Sequence, residues 1–558
     1  MWFEFLSAKE RIMKKSKLTI IAASALAIAA AALSSCAADG GKESIDPSFS
    51  GGSGIHEIIG GNERTGGLTY SGGVLDATSD KNITSAVIEP GTYRIASGAF
   101  KGCKKLTSVT IPDSVKVIDD RAFEDCVNLK NINIPTSVAV IGADAFLNCN
   151  SDLFRTSGGL LYIGNWVVGS ENKFISSANI ENGTKGIASG AFKSCTELSS
   201  VSVPDSVENI GKYAFYNCKS DLYEIEGGLK YVDGWLTDVD NLNMSIANVR
   251  LDARGIAAEA FAFSDKITYV SVSPSVKVVG ARALANASGV KDVFIAHGIT
   301  KIDVSAFENC KSLENLNLPD SITEIAYGAF GNCAKLSAIE IPNSVTKIAA
   351  DAFKGCNDNL FDKKNDLVYV DEWLVGNENM LMRTADIYNE TRGLADGVFK
   401  DCKDLESVTI PYRTKSIGDN AFENCTKLAS ISLLDNVAYL GERAFAGCEN
   451  LRTARLSASL TEIKPYTFAD CKAMYGVVFQ SGLEKIDENA FENCFALISF
   501  DLPKVESIGE NAFKNCKNLK EIRFDGTTDD YLAVEVAYNA FVSTKLASVS
   551  CTDGKVAV

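Results

Sequence analysis

Histidine is nearly absent. The 558 residues hold two, His56 ahead of the repeats and His297 inside them, so no Ser-His-Asp, Cys-His or His-Glu-x-x-His arrangement can be assembled. There is no Cys-x-x-Cys pair, and with so little imidazole the usual zinc donor sets are missing. Basic charge is in deficit, with 55 Lys and Arg against 71 Asp and Glu for a net charge of −16, which argues against nucleic acid as a partner. Glycine-rich phosphate cradles are lacking too. Carboxylates are plentiful, yet they fall in turn slots such as Asp113, Asp205 and Asp320, each following a proline, where Asp is ordinary turn chemistry. No acid pair stands out from its repeat. The expectation is therefore a non-enzyme, with no catalytic residue, cofactor or metal.

What the chain does have is a ruler. Ala122-Phe123-Glu124-Asp125-Cys126 returns with Phe100, Phe123 and Phe146 spaced 23 residues apart, as are Phe192 and Phe215, the run from Phe261 to Phe353, and the run from Phe399 to Phe491. The gaps between these groups are 46 residues, so each is expected to hold one degenerate copy. A period of this size means a solenoid, in which each coil buries its apolar face against its neighbours alone. Around Val109 and Ile111 the unit alternates apolar and polar residues like a short strand. Pro112 ends it, and Pro135, Pro204, Pro319, Pro342, Pro411 and Pro503 recur at the same corner because proline cannot supply the next ladder N–H. Val115, Ile118, Ala122, Phe123 and Cys126 are expected to point into the coil.

Leu-x-x-Val-x-Ile-Pro-x-x-Val-x-x-Ile-x-x-x-Ala-Phe-x-x-Cys resembles the 23-residue leucine-rich repeat of the BspA-like family of bacterial surface proteins, over roughly residues 68 to 546. The resemblance implies a β-rich solenoid of about twenty coils with a sheet of parallel strands. It also implies a secreted or cell-surface protein, with relatives that act as adhesins for host matrix proteins or other cells.

Residues 14–38 do not follow the repeat. Lys14, Lys15 and Lys17 precede an uncharged run of 16 residues, Leu18 to Leu33, shorter than the ~20 needed to cross a bilayer and laid out like a secretory signal. Leu33-Ser34-Ser35-Cys36 follows it and resembles a bacterial lipobox, which implies lipidation of Cys36 and membrane attachment through that lipid. Ala37 after the cysteine would permit passage to the outer membrane in a Gram-negative cell. The expected domains are a signal with lipobox at 1–36, a Gly- and Ser-rich tether at 37–54, an N-terminal cap at 55–99, the solenoid at 100–516 and a closing cap at 517–558.

Fourteen of the 16 cysteines, from Cys103 to Cys516, stand three residues after the Phe, and Ser264 and Ala287 fill that slot in two other coils. The slot thus reads as one for a small side chain, with free buried cysteines. The degenerate copies, near 150–190, 219–259 and 357–397, share Gly159-Leu160-Leu161-Tyr162 with Trp166, Gly228-Leu229-Lys230-Tyr231 with Trp235, and Asp366-Leu367-Val368-Tyr369 with Trp373. These tryptophans suit either packing, on a hairpin at the solenoid's flank, or a glycan-stacking platform.

Function is expected on the outward strand face, most of which is bland, as in Thr107, Ser108 and Thr110. Tyr269 and Phe294 stand out in the two coils that lack the cysteine, and Arg452 and Arg455 are followed one coil on by Tyr475. Aromatic and Arg side chains are the types enriched in interface hot spots. The sequence therefore reads as a lipid-anchored binding protein for an extracellular protein or host matrix component, with a glycan-binding or glycan-processing component and a structural spacer as alternatives. If the lipobox operates, labelled palmitate enters the protein in its bacterial host and Cys36→Ala abolishes the label; a variant that stays labelled would refute the anchor.

Overall fold

The computed structural model describes residues 67–71, 73–262, 264–479 and 482–557. The chain divides into Met1–Gly60 and Gly61–Val558, and the described residues all belong to the second unit, so the expected signal, the tether and Cys36 lie outside them. The described residues form a β-solenoid of about 21 coils, nearly all strand and turn.

One coil shows how the sequence builds it. Leu106, Val115, Ile118, Ala122, Phe123 and Cys126 are fully buried, and the chain visits three sides around them. Ser108–Thr110 pairs in parallel with Ser85–Val87 and with Asn131–Ile132, forming a first ladder. Beyond the corner at Pro112, Val117–Ile118 pairs with Arg94–Ile95 and with Val140–Ile141, forming a second. The Ala-Phe-x-x-Cys turn is the third side, and it is a ladder too. The N–H groups of Arg121, Phe123 and Asp125 donate to the carbonyls of Ala143, Ala145 and Leu147 in the next coil at 3.0, 2.8 and 2.9 Å. The residues two before and two after the Phe turn left-handed to aim them, so Arg121 has φ 56° and Asp125 φ 61°. Asn is among the side chains that tolerate such a backbone, and it recurs two places after the Phe. There it forms a polar ladder of its own, from Asn332 to Asn309 at 3.1 Å and from Asn309 to Asn286 at 3.0 Å.

Inside this side the phenylalanines stack with centroids 5.1 to 5.5 Å apart and planes 2 to 18° from parallel. The cysteines beside them are free. They do more than fill a small volume. The thiol of Cys126 donates to the Phe100 carbonyl of the preceding coil at 3.2 Å, and those of Cys333, Cys448 and Cys494 repeat the bond at 3.1, 3.1 and 3.3 Å. Where a coil opens a run, the thiol instead faces a polar group, Ser170 for Cys195 and Asn377 for Cys402.

Each degenerate copy is one coil whose chain doubles back as a hairpin. Leu160–Ile163 with Trp166–Ser170, Leu229–Val232 with Trp235–Val239, and Leu367–Val370 with Trp373–Asn377 share one register and one bulge. Leu68–Ser71 with Val74–Thr78, inside the expected N-terminal cap, is a fourth copy of the same unit. The hairpins open four blocks, beginning near residues 67, 151, 219 and 357, and the buried residues fall into four corresponding cores. A hairpin serves two cores at once. Leu160, Tyr162 and Val167 begin the core of the block they open, whereas Ile163 and Trp166 close the core of the block before. The other joints repeat this, with Val232 and Trp235, then Val370 and Trp373, turned backward. The indole lies flat on the next coil, where a Cβ on Gly186, Gly255 or Gly393 would come within 2.4 to 2.5 Å of its ring, so only glycine fits.

Beyond the hairpin the second ladder closes over the joint. The N–H of Ser189 reaches back to Ile141, that of Ala258 to Ile210 and that of Asp396 to Ile348, at 2.8 to 2.9 Å. This draws neighbouring blocks together on that side, and the expectation that each coil touches only its neighbours fails there. Tyr93 stacks on Tyr327 with centroids 4.0 Å apart and a hydroxyl–hydroxyl bond of 2.7 Å, and Val117, Ala281, Val304 and Ala326 form a small cluster across the same divide.

At the C-terminal end the capped turn Thr528–Leu532 interrupts the ruler, which accounts for the 28 residues between Phe513 and Phe541. Lys555–Ala557 then lies antiparallel to Ser548–Ser550 and ends the first ladder. Burial pushes the thiols of Cys126, Cys149 and Cys310 up to about 12. Thiol titration without reductant is therefore expected to find nearly all cysteines free in denaturant and few reactive in the native protein; a denatured count near zero would mean that the ladder is disulfide-bonded.

Candidate functional site

The tryptophan platform is ruled out by burial. Trp166, Trp235 and Trp373 are 2, 2 and 1% exposed, each pressed between a block core and a glycine, so no indole face is open to a sugar. They are joints. A signal for this was present in the sequence: each Trp has a Gly 20 residues on, at Gly186, Gly255 and Gly393.

The outward face of the first ladder carries the other candidates in two places. Ile246 pairs with Tyr269, and Ser271, two residues on, pairs with Phe294, so these three side chains share one side of adjacent strands. Phe294 and Ile246 are each 48% exposed and Tyr269 is half-buried. Asn248, Asn315 and Asn317 border them. Eight coils on, the Tyr475 N–H bonds the Arg452 carbonyl at 3.0 Å, and Ile498 follows in the same column. Arg455 pairs with Val478 beside them. Tyr475, Val478 and Ile498 are more than half exposed. Sequence reasoning named the aromatic and Arg members but missed Ile246, Val478 and Ile498, although the 23-residue offset places 475 and 498 in the column of Arg452. The patches are separate. Elsewhere the face is mostly polar, with Ser200 and Ser202, Ser407 and Thr409, and charged residues such as Asp386 and Asp501; Val87 stands exposed alone near its start.

The second ladder holds a cluster of charged groups with perturbed protonation. Lys347 bonds Asp419 and lies 3.9 Å from Asp396 across the third joint. Burial would pull Lys347 down, but the two carboxylates hold it well above the usual lysine range. Burial pushes Asp396 up. Although burial also acts to raise Asp419, Lys347 holds it below the ordinary range. Glu442, desolvated beside Asp419, is pushed up to about 7.

Perturbed acids and a lysine can mark an active site, but here burial at the joint accounts for the shifts and backbone hydrogen bonds account for the carboxylates' place. Asp396 accepts the N–H of Asp419 at 2.8 Å and Asp419 that of Glu442 at 2.9 Å, and exposed Asp120 does the same for Ala143 at 2.7 Å. The carboxylate in this slot satisfies the next coil's backbone, and at the joint it has become buried. Among the described residues no group of His, Cys, Asp or Glu is arranged to hold a metal.

The pH consequence has a definite sign. Glu442 binds its proton more tightly folded than unfolded, so its contribution is fully present below the ordinary 4.5 and is lost as pH rises to about 7. Glu442→Gln should flatten the fall of the chemical denaturation midpoint across that window, worth about 1 to 3 kcal/mol. An unchanged slope would show that Glu442 titrates normally.

Comparison with known proteins bears on the whole solenoid. The family model described as the BspA type leucine rich repeat region matches in six copies, over residues 77–170, 170–243, 240–360, 392–520 and 485–556. No curated protein matches the chain. Among solved structures, a leucine-rich repeat protein from Eubacterium ventriosum is 21% identical over 58% of this chain and 94% of its own, with a TM-score of 0.31. One described as a leucine rich cell surface protein, from Faecalibacterium prausnitzii, is 20% identical over 69 and 98%, with a TM-score of 0.26. A leucine-rich repeat protein from Bacteroides ovatus is 20% identical over 83 and 91%, with a TM-score of 0.21. With the family model matching most of its length, and with the coil it describes repeated through the structure, the chain belongs to the BspA-type leucine-rich repeat family.

Proposed function

We propose that this protein is a non-enzymatic, adhesin-like binding protein of the bacterial cell surface, held by lipid at Cys36, that takes up an extracellular protein such as a host matrix component on its first ladder. The observation that carries the reading is the pair of exposed patches, Ile246 with Tyr269 and Phe294, and Arg452 with Tyr475, Ile498, Arg455 and Val478, on a face that is otherwise mostly polar, with Val87 a lone exposed apolar residue near its start. Large apolar groups on a sheet cost solubility and are unneeded by a core on the opposite face. Aromatic and Arg side chains supply most of the binding energy in protein interfaces. The acidic net charge of −16 favours a partner with a basic or neutral surface.

The test is binding of the chain without its lipid to a panel of immobilised extracellular matrix proteins. For a ligand found there, Tyr269→Ser with Phe294→Ser, or Arg452→Ala with Tyr475→Ala, is expected to weaken binding by about tenfold or more. Ser200→Ala, on the bland part of the face, serves as control. Binding that survives both double substitutions would remove the first ladder as the binding face.

A further inference from the structure

The third side of the solenoid has an opening at its joints, where the last phenylalanine coil of a block meets the next hairpin. At the third joint it is a cavity of about 190 Å³ whose hairpin wall is Phe361, Val368, Val375 and Gly376. At the second joint it is about 240 Å³, and the same four positions are Tyr223, Lys230, Thr237 and Asp238. On the coil wall, Tyr213 and Tyr216 replace Asp351 and Lys354. The joint itself does not require this change, because the third joint folds with the apolar set. One of two equivalent pockets has been remade from aromatic rings and hydrogen-bonding groups.

The rings are half open, with the Lys212 ammonium 4.7 Å from the Tyr213 centre and that of Lys193 6.0 Å from the Tyr216 centre. Tyr213 and Tyr216 are 49 and 54% exposed, with centroids 5.4 Å apart and planes at 55°, so they form an open angle. Tyr223 is fixed at the base by its hydroxyl, which donates to the Phe215 carbonyl and accepts the Cys218 N–H. Lys230 and Asp238 face each other across the hairpin, with the Lys230 ammonium 5.1 Å from the Tyr223 ring centre. Asp238 accepts the N–H of Val239 at 2.9 Å, which leaves acceptor capacity on its carboxylate. Tyr213 also occupies a left-handed position, φ 56°. An L side chain adopts that backbone only at a cost; other coils fill the same slot with Gly190, Gly328 or Gly397, and one with Tyr466.

We propose that this pocket binds a neutral saccharide. Tyrosine faces pack on the apolar face of a sugar ring, and a carboxylate beside an ammonium takes up adjacent hydroxyls as acceptor and donor. An anionic ligand fits less well, since Lys230 is met by Asp240 at 3.3 Å and Lys212 by Glu259 at 2.5 Å, and Asp238 adds negative charge. The site lies on a different side of the coil from the first-ladder patches, so either can fail without the other.

The test is saturation-transfer NMR on the whole chain with the methyl β-glycosides of glucose, galactose and N-acetylglucosamine. At least one should bind, with Kd on the order of 1 mM for so small a ligand. Tyr213→Gly with Tyr216→Ser should weaken it about tenfold or more while leaving the denaturation midpoint unchanged or higher, because glycine relieves the backbone and Tyr216 is exposed. Asp238→Asn should weaken it as well. No transfer to any of the three glycosides, or equal transfer in wild type and the double tyrosine variant, would overturn the proposal.

Discussion

A coil of 23 residues is too thin to satisfy its own backbone. Its strands are two to five residues long, and nearly every polar group on them pairs with the coil before or after. Unpaired backbone groups next to a buried core are costly, so the coils must stay in register on all three sides at once. The third side sets the strictest condition, since its N–H groups can reach the next coil only if the backbone alternates into the left-handed region around the Phe. With that geometry fixed, the rings stack at a constant spacing, the thiols meet the carbonyls beneath them, and Asn becomes the favoured residue two places on.

The same constraint explains why the solenoid is built in blocks. A break in the phenylalanine stack leaves a core open at its end, and the hairpin coil closes it. Its backward-facing residues, headed by Trp, seal the finished block, while its forward-facing Leu and Tyr start the next. That division needs a large flat side chain and a glycine under it, and the three Trp and Gly pairs answer that need. Tryptophans on degenerate repeats suggest ligand stacking, but here their faces are consumed by packing. Among the described residues, the aromatic faces left to solvent are tyrosines and two phenylalanines, Phe174 and Phe294, at positions where the core makes no demand.

Functional variation is accordingly confined to what the ladders leave free. On the first ladder that means outward strand positions, where two patches break a polar surface. At the joints it means the residues around the opening beside each hairpin, of which the second joint has the distinctive set. The buried charges at Lys347, Asp396 and Asp419 belong to another category. They satisfy backbone and bridge blocks, and their unusual protonation follows from burial at a joint.

The amino-acid order alone determined whatever repeats. The period, the inward positions, the proline corner, the free cysteines and the degenerate coils are all local patterns that recur at a fixed step, and periodicity exposes them. The outward aromatics were legible for the same reason, since strand alternation assigns each residue to a face. Tertiary structure decided the rest. The direction in which Trp166 turns, the use of each Cys thiol as a donor and the assembly of Tyr213, Tyr216 and Tyr223 around one opening depend on how a hairpin docks between coils, and the register does not encode that. The meeting of Tyr93 with Tyr327 joins residues 234 positions apart. Two joints lie between them, and no motif at either tyrosine marks the other as its partner.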